Sequence, residues 1–473
     1  MAIVLLPVCG AFILPVVGQI SARLRNLLSF VIIAATFLIS LKFIHPALAS
    51  LPVYFDYGVS NIFRFSLTAD MLAVFMAATS SLIGLIIVFY SFGYIAHYRN
   101  QNEYYFLVVL FLGSMMGIVF SANLIFLYIF WELTAICSWR LIGFFREKTD
   151  ILRADKAFLV TFFGAALMLL GFIMIFQETG SFDLVICKEY FKAHPFPNLA
   201  VTLILVGILS KSATLPLQTW LPDAGVAPSP VTALLHAAVL VKIGVYVYAR
   251  LFVMAFPVDA FWHTAIPVIA GLSAVISAAA AFVEKDLKRI IAYSTISQIG
   301  FIFFGLSLDS NIGVAAGLLY ILMHGLAKAG LFLCAGIVEQ NTHTKDITKL
   351  GGLISTMPFT AMAFLACAFS VMGIPPFGGF FAKFLIFRAG FLGAPLWINI
   401  VYLIGACMTI LYLLRVFVMV FLGEARISAR EGTPAMVFSV TLLGVLSLAG
   451  GIFITYPMGF LNTFVNSLAL LSR

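Results

Sequence analysis

Charge is what this sequence has least of. Only 10% of its 473 residues are Asp, Glu, Lys or Arg, against 63% hydrophobic, and the mean hydropathy is +1.12. A water-soluble domain needs a charged surface, so the composition excludes one. The six cysteines (Cys9, Cys137, Cys187, Cys334, Cys367 and Cys407) include no CxxC pair, which argues against zinc, an iron–sulfur cluster or a disulfide framework. Five of them lie in apolar segments, where a thiol serves as a small packing group. Gly-rich phosphate loops and dinucleotide fingerprints are missing as well. The net charge of +8 comes from basic residues scattered through short loops, so a nucleic-acid partner is not expected.

What the sequence does have is a series of long apolar runs. About 20 apolar residues in helical form cross a bilayer core. Fourteen such runs begin near residues 1, 27, 69, 104, 122, 154, 199, 229, 261, 289, 312, 355, 394 and 433. The expected fold is therefore an all-α integral membrane protein with about fourteen transmembrane helices. Roughly 280 residues would lie in the membrane, leaving no room for a catalytic domain or for a cofactor of its own. The first run lacks a basic leader and a small-residue cleavage site, so it is expected to remain as a helix. Loops after odd-numbered helices carry fourteen Lys and Arg, among them Arg23, Lys156, Lys288 and Arg430, and the other side carries six, including Arg250 and Arg473. That bias places the odd loops in the cytoplasm and both termini outside an inner membrane. Connections 45–68 and 177–198 are expected to form ordered caps, and 456–473 to lie along the surface or against a neighbour.

Charged side chains inside the runs are the informative exceptions. Each costs about 2.5 to 3.5 kcal/mol at mid-membrane, so an intramembrane ionisable group is a functional candidate by default. Glu132 lies in the fifth run, Lys211 in the seventh, His236 and Lys242 in the eighth, His324 and Lys328 in the eleventh and Lys383 in the twelfth. Unpaired against lipid, the five charged groups alone would cost on the order of 13 to 18 kcal/mol, so they must face a wet or paired interior. Burial weakens an ammonium's hold on its proton and a nearby carboxylate strengthens it, so a lysine with a movable glutamate partner can load and unload protons. Static glue between helices would need matching acids, and Glu132 is the one clear intramembrane carboxylate for four lysines. His324 and Lys328 share one helix face about 6 Å apart along the axis. His236 and Lys242 stand about 120° apart and roughly 9 Å along an ideal helix, so they relay only through water or a local distortion.

Two runs are broken, the seventh by Pro216 and Pro222 and the twelfth by Pro375 and Pro376. Proline lacks the N–H that would bond the carbonyl four residues back, so carbonyls near Ser212, Gln218, Val371 and Met372 are expected to be freed. Breaks five helices apart point to two inverted five-helix repeats with the ion pathway at the breaks. The implied organisation is 1–103 (helices 1–3), 104–253 (first repeat), 261–421 (second repeat) and 433–473 (helix 14 and a surface segment).

The segments FWELTAICSWRLIGF, KSATLPLQTWLPDAGVAPSPVTALLHAAVLVKIGVYVYAR and KDLKRIIAYSTISQIGF resemble one family over roughly residues 65–420. It comprises the antiporter-like membrane subunits shared by respiratory complex I (NADH-quinone oxidoreductase), Mrp-type cation/proton antiporters and energy-converting membrane hydrogenases. The resemblance implies discontinuous helices seven and twelve and a hydrated polar axis in the membrane plane. It also implies a pairing of Glu132 with Lys211, relay positions at His236 and Lys242, a central link at His324 and Lys328, and terminal proton exchange at Lys383. Three features depart from the family pattern. One complex I paralogue carries an acid where this chain has Lys383. The sequence, which stops at Arg473, is expected to lack the lateral helix of the longest members. Arg140 stands where the pattern is apolar, and about 12 Å of helix separates it from Glu132, so it is expected to snorkel away from the axis.

The implied role is a proton-translocating subunit without a redox centre. Its implied partners are other integral membrane subunits, with a peripheral arm carrying flavin or iron–sulfur clusters in a redox pump, and its ion is the proton, with sodium as a candidate second ion. The alternatives are a membrane anchor for a peripheral enzyme and a subunit of an uptake complex that does not pump by itself.

Overall fold

A computed structural model describes residues 1–49, 52–58, 64–427 and 429–471. Arg473, counted above among the outer charges, and parts of the 45–68 and 456–473 segments lie outside the described residues. Twelve helices among the described residues are long and apolar enough to cross a membrane. They are α1 (Ala2–Ile20), α2 (Ala22–Lys42), α3 (Met71–Tyr94), α4 (Gln101–Phe120), α5 (Leu124–Ile142), α6 (Lys148–Thr179), α8 (Ser229–Val253), α9 (Trp262–Val283), α10 (Leu287–Ser307), α11 (Asn311–Thr342), α13 (Leu396–Phe421) and α14 (Pro434–Ile452). The remaining two spans are the broken ones. In α7, Asn198–Lys211 is followed by Trp220–Asp223, and in α12, Pro358–Met372 is followed by Gly378–Gly393. A final helix, α15 (Thr455–Leu471), stacks Phe460 on Phe75 and buries Leu461, Phe464 and Val465. It therefore packs on its own chain.

Side chains at the helix ends stop the helices where the chain must turn. Asp70, Asn123, Asp286 and Ser310 each accept a backbone N–H from the first turn of the helix that follows them. The long connections are ordered where described. One contains an antiparallel hairpin, β1 (Val53–Gly58) against β2 (Arg64–Ala69), and the other a short helix, Leu184–Ala193, capped by Asp183. Helices α8, α10 and α11 are almost wholly enclosed by other helices, whereas most of α1 and α2 faces outward. The centre of the molecule is therefore the α8–α10–α11 core, and the apolar side chains left exposed lie on the outer helices.

Several boundaries differ from the sequence reading. α2 begins at Ala22 rather than near 27, and α6 at Lys148 rather than near 154, so Arg23, Arg25, Arg153 and Lys156 sit on helices. Helices continue through the headgroup layer with polar residues, and hydropathy marks only their apolar middle. Lys288 and Arg250, counted as loop charges, are both buried. Arg250 lies in a π-helical turn at the end of α8, where its guanidinium pairs with Asp70 and its Nε donates to Tyr246 at 2.8 Å. Arg140 pairs with Glu103 at the start of α4, away from the central lysines as its position suggested.

The two breaks are built alike. The left-handed residue is Ala213 in α7 and Gly373 in α12. The next N–H then reaches five residues back, from Thr214 to Leu209 at 2.9 Å and from Ile374 to Phe369 at 3.0 Å. A single turn follows, closed by Leu217 to Thr214 in one and Phe377 to Ile374 in the other. Alanine at φ 52° carries strain that Gly373 avoids, because a Cβ crowds the backbone there. Pro222, read as part of the first break, lies inside the second half of α7, where proline in a first turn costs no hydrogen bond. The Gln218 carbonyl is accordingly not freed and accepts from Leu221 N–H at 3.2 Å.

Asp70 is partly buried at the N-terminal end of α3, with 22% of its side chain exposed. Burial would raise its pKa, but the attraction of Arg250 and the backbone bonds outweigh it and hold the carboxyl below its usual range. A depressed pKa stabilises the fold at pH values above the unfolded value, and this contribution is lost as pH falls from about 4 through the folded value. Asp70→Asn keeps a cap acceptor and removes the charge, so it should cost about 2 to 3 kcal/mol at neutral pH. Thermal melts in detergent from pH 7 down to about 2 should show a constant difference between wild type and variant above about pH 4 that shrinks as pH falls below it. A difference that stayed constant over the whole range would remove the ion pair from this account.

Candidate proton pathway

Lys211 ends the first half of α7 and is fully buried. Its Nζ donates to the Trp131 carbonyl at 3.1 Å and lies 5.2 Å from the centre of the Trp131 ring. That carbonyl belongs to the residue before Glu132, so the expected pair meets at the same place on α5. No ion pair joins Glu132 to Lys211 among the described residues, and Glu132 Oε1 is buried without a protein partner. Thr214 and Gln218 beside the break also carry unpartnered buried oxygens. Groups of this kind are normally satisfied by water.

The neighbouring helix comes close because Gly244 has no side chain. A Cβ there would meet Ile208 O at 2.7 Å and the Ser212 hydroxyl closer still. Two residues earlier, Lys242 meets His324 of α11, Nζ to Nδ1 at 2.6 Å. The distortion that the His236–Lys242 spacing required is a π-helical segment, Leu234–Ala238, ending at Val239 with φ −127°. Lys242 nevertheless bonds across helices to His324 and not to His236. His236 rests against Phe332, ring centres 4.3 Å apart, and neither of its nitrogens has a partner among the described residues.

His324 and Lys328 share a helix but not their neighbours. Lys328 Nζ donates to Ser294 Oγ at 2.6 Å and to the Ile291 carbonyl at 3.2 Å on α10. From Ser294 the network continues to the Tyr412 hydroxyl at 2.7 Å, to Thr409 at 3.4 Å, and through Gln298 Nε2 at 3.1 Å. The Tyr320 hydroxyl closes it, donating to Gln298 Oε1 at 2.6 Å. Lys383 stands beyond Tyr320, its Nζ 5.8 Å from the centre of that ring and 4.8 Å from that of Phe301. The same ammonium donates to the Val371 carbonyl at 2.8 Å, one of those the break in α12 was expected to free.

Five links of this chain, Ser294, Gln298, Tyr320, Thr409 and Tyr412, were not singled out in the sequence. Their signal was present, because 294 and 298 on one helix and 409 and 412 on another are polar residues at face-sharing intervals. Hydroxyls are inexpensive in a helix and so go unnoticed beside charges.

Residues 121–409 match the family described as NADH:quinone oxidoreductase/Mrp antiporter, TM. The chain is 35% identical over 431 residues to a Na(+)/H(+) antiporter subunit of Alkalihalophilus pseudofirmus, covering 82% of this chain and 52% of that protein. A Na(+)/H(+) antiporter subunit of Staphylococcus saprophyticus is 34% identical with the same coverage. The chain thus spans about half the length of these curated relatives. Its fold is similar to a chain of the Mrp complex from Dietzia sp., with TM-score 0.91, 22% identity and coverage of 99% of this chain and 97% of that one. It is also similar to a chain of respiratory complex I from Thermus thermophilus, with TM-score 0.86, 24% identity and coverage of 100% and 99%.

Tyr412→Phe removes one hydroxyl and leaves the ring packed. If the network carries protons between Lys328 and Lys383, it should lower proton flux by on the order of ten-fold or more, with little change in stability. Fluorescence quenching of a pH dye in liposomes holding the assembled complex reads the flux. Wild-type flux would leave Tyr412 a structural role only.

Proposed function

Because the chain belongs to the NADH:quinone oxidoreductase/Mrp antiporter membrane family, we propose that it is a proton-translocating, antiporter-like subunit of a multisubunit cation/proton antiporter. The observation that carries this reading is the series from half-buried Glu132 through the buried Lys211, Lys242, His324 and Lys328 to Lys383. It crosses the α5–α12 core on side chains that a purely structural bundle would replace with apolar ones. The relatives named as Na(+)/H(+) antiporter subunits favour a cation, such as sodium, over an electron carrier as the coupled partner. Other membrane subunits would complete the ion path. The basic odd loops would face the cytoplasm.

The four lysines are held mainly by carbonyls, a hydroxyl and an imidazole. These partners are neutral, so a departing proton leaves no unpaired counter-charge in low dielectric. Glu132 supplies the movable negative charge at one end. The helix starts Gln101, Leu124, Lys148 and Asn198 recur as Trp262, Leu287, Asn311 and Pro358 at nearly the same intervals. The two sets would be inverted halves, each with one broken helix opening toward one face.

Glu132→Gln and Lys211→Ala should each abolish most antiport while the complex still assembles, because either leaves its partner buried and uncompensated. Lys328→Met should stop net translocation while proton exchange at each end survives. Liposomes holding the whole complex, with an imposed sodium or pH gradient, provide the assay. Full flux in Lys328→Met would mean that each half crosses the membrane alone. Flavin or iron–sulfur absorbance in the purified complex would replace the cation antiporter with a redox pump.

A further inference from the structure

A cavity of about 350 Å³ opens on the basic-loop face between α3 and the end of α11, and its walls include Tyr94, Glu339, His343 and Lys345. Glu339 is the carboxylate at its inner wall, with a side chain 25% exposed. Its Oε2 pairs at 2.7 Å with Lys288, whose side chain is 2% exposed and whose Nζ also donates to the Ala227 carbonyl at 2.9 Å. The same oxygen accepts from Ser229 Oγ at 3.3 Å, while Lys345 stands 3.8 Å from Oε1. One side of Glu339 therefore meets the cavity and the other meets the first residue of α8.

The packing of α8 against α11 shows where that second side leads. Ser229 lies against Glu339, His236 against Phe332 and Lys242 against His324, so the two helices run antiparallel with their polar groups along one seam. Gly336 draws them together, because a Cβ there would meet the Ser229 Cβ at 2.5 Å. Glu339 and Phe332 are seven residues apart and so share a face, as do Ser229 and His236. His236 thus stands about 10 Å further in along the same seam, with both ring nitrogens unpartnered.

We propose that Glu339 is the proton-loading group of the basic-loop face, taking protons from this cavity and passing them along the α8–α11 seam to His236. The inference rests on the proton-pathway reading and names its access route on that face. A proton arriving through the cavity neutralises the Glu339 carboxylate and releases its pair with Lys288. Lys288 Nζ keeps its bond to the Ala227 carbonyl. The Glu339 proton then moves by way of the Ser229 hydroxyl and water to an imidazole nitrogen of His236. The carboxylate re-forms its pair with Lys288, which returns the site to its starting charge.

The test uses the whole complex in liposomes, with flux normalised to incorporated protein. Glu339→Gln should lower proton flux at least ten-fold, Glu339→Asp should stay within about three-fold of wild type, and Lys211→Ala serves as the dead control. In the wild-type complex, a water-soluble carbodiimide added from the basic-loop face should modify Glu339, since it reacts with protonated carboxyls, and flux should fall in step with the adduct mapped by mass spectrometry. Full flux in Glu339→Gln with a dead Lys211→Ala would overturn the loading role and leave the pathway standing. Full flux in both would overturn the pathway itself. Should Glu339→Gln fail to assemble, absence of the adduct in the wild type overturns the loading role and its presence with lost flux supports it.

Discussion

An ammonium in the middle of a bilayer must be held by something other than water, and the architecture of this chain is organised around four of them. Lipid cannot solvate the charge, so Lys211, Lys242, Lys328 and Lys383 are enclosed by helices, with side chains or backbone within bonding distance. Enclosing them requires a core that is buried on every side, and α8, α10 and α11 supply it. The outer helices then serve chiefly as an apolar sleeve, which is why they expose Leu, Ile and Phe without penalty.

The broken helices belong to the same solution. A continuous helix consumes its own carbonyls, and an apolar bundle has little else to offer a cation. In α12 the break releases the Val371 carbonyl to Lys383, and in α7 it leaves Lys211 at a helix end, where it reaches the Trp131 carbonyl of a neighbouring helix. Equal hydrogen-bond patterns at Ala213 and Gly373 show that both breaks use one local device, although only one has the residue that adopts it without strain.

Charge pairs close the two ends of the central helix. Arg250 with Asp70 ties α8 to α3 at one end, and Lys288 with Glu339 ties α10 to α11 beside Ser229 at the other. Both pairs couple a buried cation to a partly exposed carboxylate. The carboxylate keeps some contact with water, which lessens the desolvation cost of the pair and leaves it open to protonation from outside.

Composition and periodicity alone determined that this is a multi-pass helical membrane protein, roughly where its helices begin, and which buried charges were out of place. Charge in hydrocarbon is costly whatever the fold, so Glu132, Lys211, Lys242, Lys328 and Lys383 could be picked out one by one, and proline marked the breaks by removing a donor. Partners could not be found in this way. Lys242 could be seen six residues from His236, but its bond to His324 depends on how α8 meets α11. Lys288 and Arg250 read as loop charges because hydropathy does not say whether a helix end is covered by another helix. The Ser294–Tyr412–Gln298–Tyr320 chain joins three helices, and each hydroxyl or amide alone is cheap enough to pass as ordinary. Only the tertiary structure decided these, because a hydrogen bond is a relation between surfaces that the sequence leaves far apart.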